Sequence, residues 1–173
     1  MTLCLSLLSI PSYFLIYYCI TMLDDIDHKI LDIIQKEGRT RRNDLADRVG
    51  LSLPSVSERL RKLEDAGIIT GYFAKLNHQK LGKDITAFVL ATVDSSKHYN
   101  SFVEHVDGTD DILECHAITG EGTHLLKIRT ENTASLEKLL AKIQSWTGVV
   151  KTTSSVVLSS PKETSVIKIH YHK

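Results

Sequence analysis

The sequence predicts an α+β protein built from an N-terminal three-helix (winged) helix-turn-helix and a C-terminal ferredoxin-like βαββαβ domain. Three observations predict it. Between Asp24 and Gly67, apolar residues recur at helical spacing in three short runs punctuated by Gly38 and Gly50. From Ile85 the period changes to the alternation of a strand. Beyond that strand, two helical stripes interleave with three further β-prone runs, which sets the order βαββαβ.

The first predicted helix runs from about Asp25 to Glu37, with Ile26, Ile30, Ile33 and Ile34 on one side. Asp24, Asp25 and Asp27 stand at its front, where acidic groups favour the positive end of the helix dipole. Gly38 ends it, and Thr40 is the expected N-cap of a second helix, Arg41 to Val49, with Leu45, Ala46 and Val49 as its core face. Gly50 permits a tight turn. Ser52 can cap a third helix that tolerates Pro54 in its first turn and continues to about Ala66.

On the helical wheel Val56, Leu60 and Leu63 share the side that packs inward. The opposite side carries Pro54, Ser55, Glu58, Arg61 and Lys62, flanked by Ser57 and Arg59. Short hydroxyl residues near the N-terminal end, Ser52 included, let such a helix approach base edges, while Arg and Lys reach bases or phosphates. Arg39, Arg41 and Arg42 precede the second helix, where phosphate contacts are the functional reading. The same pattern also fits a charged, solvated face, and taken singly each arginine also fits plain surface.

After the third helix, Ile68 to Phe73 has hairpin character and leads into a linker. Ile85 to Val93 then reads as the first strand of the second domain. Tyr99, Phe102, Val103 and Val106 mark a helix, Ile112 to Ile118 and His124 to Arg129 two strands, and Leu136, Leu139, Leu140 and Ile143 a second helix. Val149 to Leu158 closes the set. Both helices should cover one face of an antiparallel sheet, and a second copy of the chain is expected on the other, making a homodimer. The expected segments are an upstream extension over 1–21, the helix-turn-helix over 22–71, a linker over 72–84, the β-rich domain over 85–160 and a mobile tail over 161–173.

Composition bounds the function. The 173 residues hold 21 basic and 21 acidic side chains and are 42% hydrophobic, enough for packed cores and too apolar for wholesale disorder. Zero net charge gives no bulk argument for a polyanionic partner, yet Arg39 to Lys62 holds seven basic residues against three acidic. Cys4, Cys19 and Cys115 form neither a disulfide framework nor a zinc spacing, which fits a reducing cytoplasm. The apolar stretch Met1 to Leu23 has no leading basic residue for a secretory signal, and Pro11 and the following aspartates disfavour an anchor. The preferred reading is that translation begins at Met22.

Three chemistries are set aside. Gly120-Glu121-Gly122 joins two strands and lacks a following Lys, so it is no phosphate-cradling loop. His170 and His172 with Cys115 or His116 fix no four-ligand set, so no metal and no cofactor is expected. Cys115 and His116 are adjacent on a strand and point to opposite faces, which disfavours a thiol enzyme.

The run Leu51-Ser52-Leu53-Pro54-Ser55-Val56-Ser57-Glu58-Arg59-Leu60-Arg61-Lys62-Leu63-Glu64, followed by Gly67-Ile68-Ile69, resembles the recognition-helix signature of the Lrp/AsnC (feast/famine) regulators. Leu23-Asp24-Asp25-Ile26-Asp27 resembles the opening of that family. The resemblance covers Met22 to about Ser159 and implies a cytoplasmic transcriptional regulator that binds double-stranded DNA and assembles as dimers or octamers. It also implies an amino-acid effector bound near the turn after the second strand. The family pattern there is Gly-Asp-x-Asp, whereas Thr119, Gly120, Glu121, Gly122, Thr123 and His124 keep one carboxylate and put Thr123 in place of the second. Glu121 and the turn's amides can hold an ammonium and a carboxylate, and an ordinary hairpin turn fits equally. An amino acid, another ligand or none at all remain open. So do a ligand-independent DNA-architectural protein and an amino-acid-binding module acting on a protein partner.

Overall fold

The computed structural model describes residues 23–169, so the expected extension before Met22 and the histidines at 170 and 172 lie outside the described residues. The described residues divide into two compact units, one of residues 23–75 together with 164–169, the other of residues 76–163.

The first unit holds α1 (Asp25–Lys36), α2 (Arg42–Val49) and α3 (Leu53–Asp65). Asp24 caps α1: its carboxylate accepts from the N–H of Ile26 and of Asp27, both at 2.9 Å, while Asp27 Oδ2 accepts from the Asp24 N–H at 3.2 Å. This reciprocal capping box satisfies donors that a helix start otherwise leaves orphaned. Gly50 ends α2 at φ 72°, a left-handed position that glycine adopts without Cβ strain, and redirects the chain into α3. Ile30, Leu45, Ala46, Val56, Leu60 and Leu63 form the buried core, so the expected inward faces of all three helices meet.

Three local expectations change. Thr40 does not cap α2; its hydroxyl donates to the Glu37 carbonyl at 2.7 Å and closes the preceding turn, leaving Arg41 at the cap without a side-chain bond. Ile68 to Phe73 forms no hairpin. The N–H groups of Ile68 and Ile69 both return to the Leu63 carbonyl, at 3.0 and 3.1 Å, and their side chains pack on the helical core. Tyr72 then donates to Glu64 at 2.9 Å; burial and that carboxylate push its pKa up to about 12, so it stays a donor at neutral pH. The third change concerns the tail expected to be mobile: the Gln35 carboxamide donates to the Ile167 carbonyl and accepts from its N–H, each at 2.9 Å.

The second unit contains β1 (Ile85–Val93), α4 (Tyr99–Asp107), β2 (Ile112–Ala117), β3 (His124–Thr130), α5 (Thr133–Gln144) and β4 (Val149–Val156). The sheet order is β2-β3-β1-β4, with every neighbouring pair antiparallel. This is the ferredoxin-like arrangement that βαββαβ connectivity implies. Ala87, Val89, Ala91 and Val93 of β1 and Leu126 and Ile128 of β3 are buried with Phe102, Val106, Leu136, Leu139, Ile143 and Trp146. The period-2 alternation therefore sorts these strands cleanly into an inner and an outer face. Ahead of β1, Lys83 bonds to Asp111 at 2.7 Å and to Glu131 at 2.5 Å, which pins the incoming chain to this unit.

Candidate nucleic-acid interface and effector turn

α3 presents its two sides as the helical wheel requires. Val56, Leu60 and Leu63 are buried, while Pro54, Ser55, Glu58, Arg61 and Lys62 are exposed. The hydroxyls gather at the N-terminal end, where Ser52 Oγ lies 2.8 Å from Ser55 Oγ and accepts from the Ser55 N–H. Ser57 is half-buried on the flank. Arg61 reaches Glu58 through Nη2 at 2.8 Å and Nε at 3.1 Å, and Asp65 through Nη1 at 2.7 Å. Its hydrogen bonds hold the Glu58 carboxyl below the usual carboxylate range, so the side chain is ionised at neutral pH. Lys62 sits 3.9 Å from the same carboxylate. All these ion pairs are exposed and exchangeable, so the cations can leave them for a phosphate at little cost.

Arg59 is drawn elsewhere. Only 28% of its side chain is exposed, and its guanidinium bridges Asp27 at 2.7 Å and Asp24 at 2.8 Å. The bond to Asp27, then that to Asp24, raises its pKa further, and the pair of carboxylates ties α3 to the start of α1. Wheel position alone placed Arg59 beside the outward side; the aspartates that claim it lie up to 35 residues earlier in the chain, beyond any local spacing rule. Arg39, Arg41 and Arg42 are exposed around the start of α2. Sequence reasoning omitted Arg48, which pairs with Glu37 at 2.7 and 3.0 Å and lines a shallow open depression with Arg39, Thr40 and Asp44.

The turn between β2 and β3 has a different character at its two ends. Thr119, Gly120 and Glu121 are exposed. Gly122, at φ 80°, lies where an added Cβ would come within 3.4 Å of the Ala91 carbonyl, so the turn presses against β1 at a point that only glycine suits. Thr123 faces the sheet. Its N–H donates to the Ala91 carbonyl at 2.9 Å, and its hydroxyl accepts from the Val93 N–H at 2.9 Å and lies 2.8 Å from His124 Nδ1. The residue standing where the resemblance expects a carboxylate is thus engaged in the strand seam.

His124 is 5% exposed, with its ring 4.6 Å from that of Phe102 and 5.6 Å from that of Tyr99. Its Nε2 is buried without a hydrogen-bond partner. Strand parity with Leu126 and Ile128 points it inward, a signal the sequence carried. Burial lowers its pKa below the ordinary histidine value. A depressed histidine contributes stability that is fully present above its unfolded pKa and is lost as pH falls through the unfolded value toward the folded one. Unfolding of the second unit, followed by the fluorescence of Trp146, should therefore become easier as pH drops below about 6.5. In His124→Phe this acid sensitivity should shrink; an unchanged pH dependence would remove His124 as its source.

Residues 86–167 match the Lrp/AsnC ligand binding domain, and residues 23–70 match a winged helix-turn-helix DNA-binding domain. Among curated proteins, the uncharacterized HTH-type transcriptional regulator YezC of Bacillus subtilis is 43% identical over 138 residues, which is 80% of this chain and 95% of that one. The leucine-responsive regulatory protein of Klebsiella pneumoniae is 36% identical, covering 85% and 92%. Among solved structures, a transcriptional regulator of Neisseria meningitidis in complex with L-methionine superposes with a TM-score of 0.82 at 32% identity, covering 85% of this chain and 97% of that one.

Proposed function

We propose, from the premise that the chain belongs to the Lrp/AsnC family of transcriptional regulators, that α3 enters the major groove and that the β2–β3 turn meets a small effector. The observation that carries the first part is the outward side of α3: hydroxyls at its N-terminal end, then Glu58, Arg61 and Lys62, above a fully apolar base. Ser52, Pro54, Ser55 and Ser57 allow close approach. Arg61 and Lys62 reach base edges or phosphates, and Arg39, Arg41 and Arg42 take the adjoining backbone. Arg59 acts from behind by holding α3 against the start of α1.

A homodimer supplies two such helices to one duplex, and larger assemblies such as octamers would follow from pairing dimers. The sheet face away from the helices supports self-association: Phe88 is 37% exposed, and Leu90 and Leu125 beside it are half-buried. Among the described residues no helix is long and apolar enough to cross a membrane.

The effector reading is an amino acid. The Neisseria regulator and the feast or famine regulatory protein of Mycobacterium tuberculosis were both solved with L-methionine, and here Glu121 and the exposed amides of the turn would face its ammonium and carboxylate. The engagement of Thr123 within the sheet favours a second reading, a regulator that binds DNA without an effector. Genomic footprinting with the protein beginning at Met22, repeated with each amino acid in turn, separates the two. An amino-acid effector predicts that occupancy shifts with one of them and that Glu121→Ala abolishes the shift. Occupancy indifferent to all of them would leave the effector-free reading.

A further inference from the structure

Glu58 occupies the centre of the outward side of α3, opposite Val56, Leu60 and Leu63 and one turn away from both Ser55 and Lys62. Its side chain is 49% exposed, and affinity alone does not account for it. A carboxylate carried into a groove walled by phosphates weakens binding unless a base edge donates to it. Arg61 holds both of its oxygens, Oε1 at 2.8 Å and Oε2 at 3.1 Å, and anchors its own remaining arm on Asp65 at 2.7 Å. The carboxylate is therefore oriented by its own helix before the duplex is met. Each oxygen keeps acceptor capacity after one guanidinium bond.

Only two bases offer a donor in the major groove, cytosine through N4 and adenine through N6. Guanine presents O6 and N7 there, and thymine O4, all acceptors that repel a carboxylate. The adenine N6 donor lies between two acceptors, its own N7 and the O4 of the paired thymine, whereas the cytosine N4 amine has an acceptor, the O6 of the paired guanine, on one side only. A group that can only accept fits cytosine best.

We propose that Glu58 sets the base preference at one position of the recognised sequence, accepting from the N4 amine of cytosine and rejecting guanine and thymine. This rests on α3 reading the major groove. Glu58 then supplies discrimination while Arg61, Lys62 and the arginines near α2 supply attraction. The simpler alternative, a surface ion pair that merely steadies the helix, leaves base preference untouched by any change at Glu58.

The test is selection from a pool of randomised duplexes by the full chain and by its Glu58→Gln and Glu58→Ala variants, with helix content checked by circular dichroism. The native protein should enrich cytosine at one position by about tenfold over the other bases. Glutamine both donates and accepts, so Glu58→Gln should move the preference at that position toward adenine. Glu58→Ala should flatten it and tighten binding to unrelated duplexes, because a negative charge facing the phosphates is gone. Identical base distributions for all three proteins would overturn the proposal while leaving groove reading intact. A native protein that enriches no sequence at low salt would overturn groove reading, and this proposal with it.

Discussion

Replacing Arg61 and Lys62 together with Ala is expected to weaken duplex binding on the order of 10- to 100-fold and to flatten its salt dependence. Both cations stand on the exposed side of α3, and their partners Glu58 and Asp65 are exposed too, so the free protein holds them only by exchangeable ion pairs. On a duplex each should displace a condensed counterion or bond a base edge. Losing two such contacts should make the slope of log affinity against log salt shallower by about one to two units. Thermal stability should stay near that of the native protein, because neither side chain packs on the core of Ile30, Leu45, Val56, Leu60 and Leu63. Anisotropy titrations at several salt concentrations give both quantities. An unchanged slope would mean that this side of α3 does not touch the polyanion.

The second large effect is expected in the other unit. Phe102 is 0% exposed and sits between His124, with ring centroids 4.6 Å apart, and Trp146, met edge-on at 5.7 Å. Phe102→Ala removes most of an aromatic ring from a close-packed core and should cost about 3–5 kcal/mol. That is a large fraction of the roughly 5–15 kcal/mol by which domains are normally stable. Trp146 is the one tryptophan in the sequence, and it lies in the same cluster, so its fluorescence reports this unit directly. Urea titration should show a clearly lower midpoint for the variant. A shift worth under about 1 kcal/mol would show that the ring is not the keystone its burial suggests.

Periodicity carried most of the architecture because burial itself is periodic. Val56, Leu60 and Leu63 recur at the helical period and Ala87, Val89 and Ala91 at the strand period, and each set lies in a core. Element ends were less legible. Thr40 has the chemistry of a cap, yet its hydroxyl finds the Glu37 carbonyl first. Ile68 and Ile69 are β-prone, but their N–H groups return to the Leu63 carbonyl and their side chains pack on the three-helix core. Contacts between distant residues were not legible at all. Arg59 with its two aspartates, Lys83 with Asp111 and Glu131, and Gln35 with Ile167 across 132 residues obey no spacing rule. In the candidate site, helical spacing sufficed to group Ser55, Glu58, Arg61 and Lys62. For the turn, the resemblance grouped Thr119 to His124 as one effector-facing set, while the fold turns Thr123 and His124 inward and leaves Glu121 as its exposed carboxylate.

Photo-cross-linking tests the placement of α3 most directly. With p-benzoylphenylalanine in place of Lys62, or in place of Glu137 on the exposed side of α5 as the comparison, the protein is irradiated on a selected duplex. Adducts to bases of the major groove from position 62, and few from position 137, are the predicted result. No adduct from position 62 on a duplex that is demonstrably bound, or adducts from position 137 instead, would contradict it.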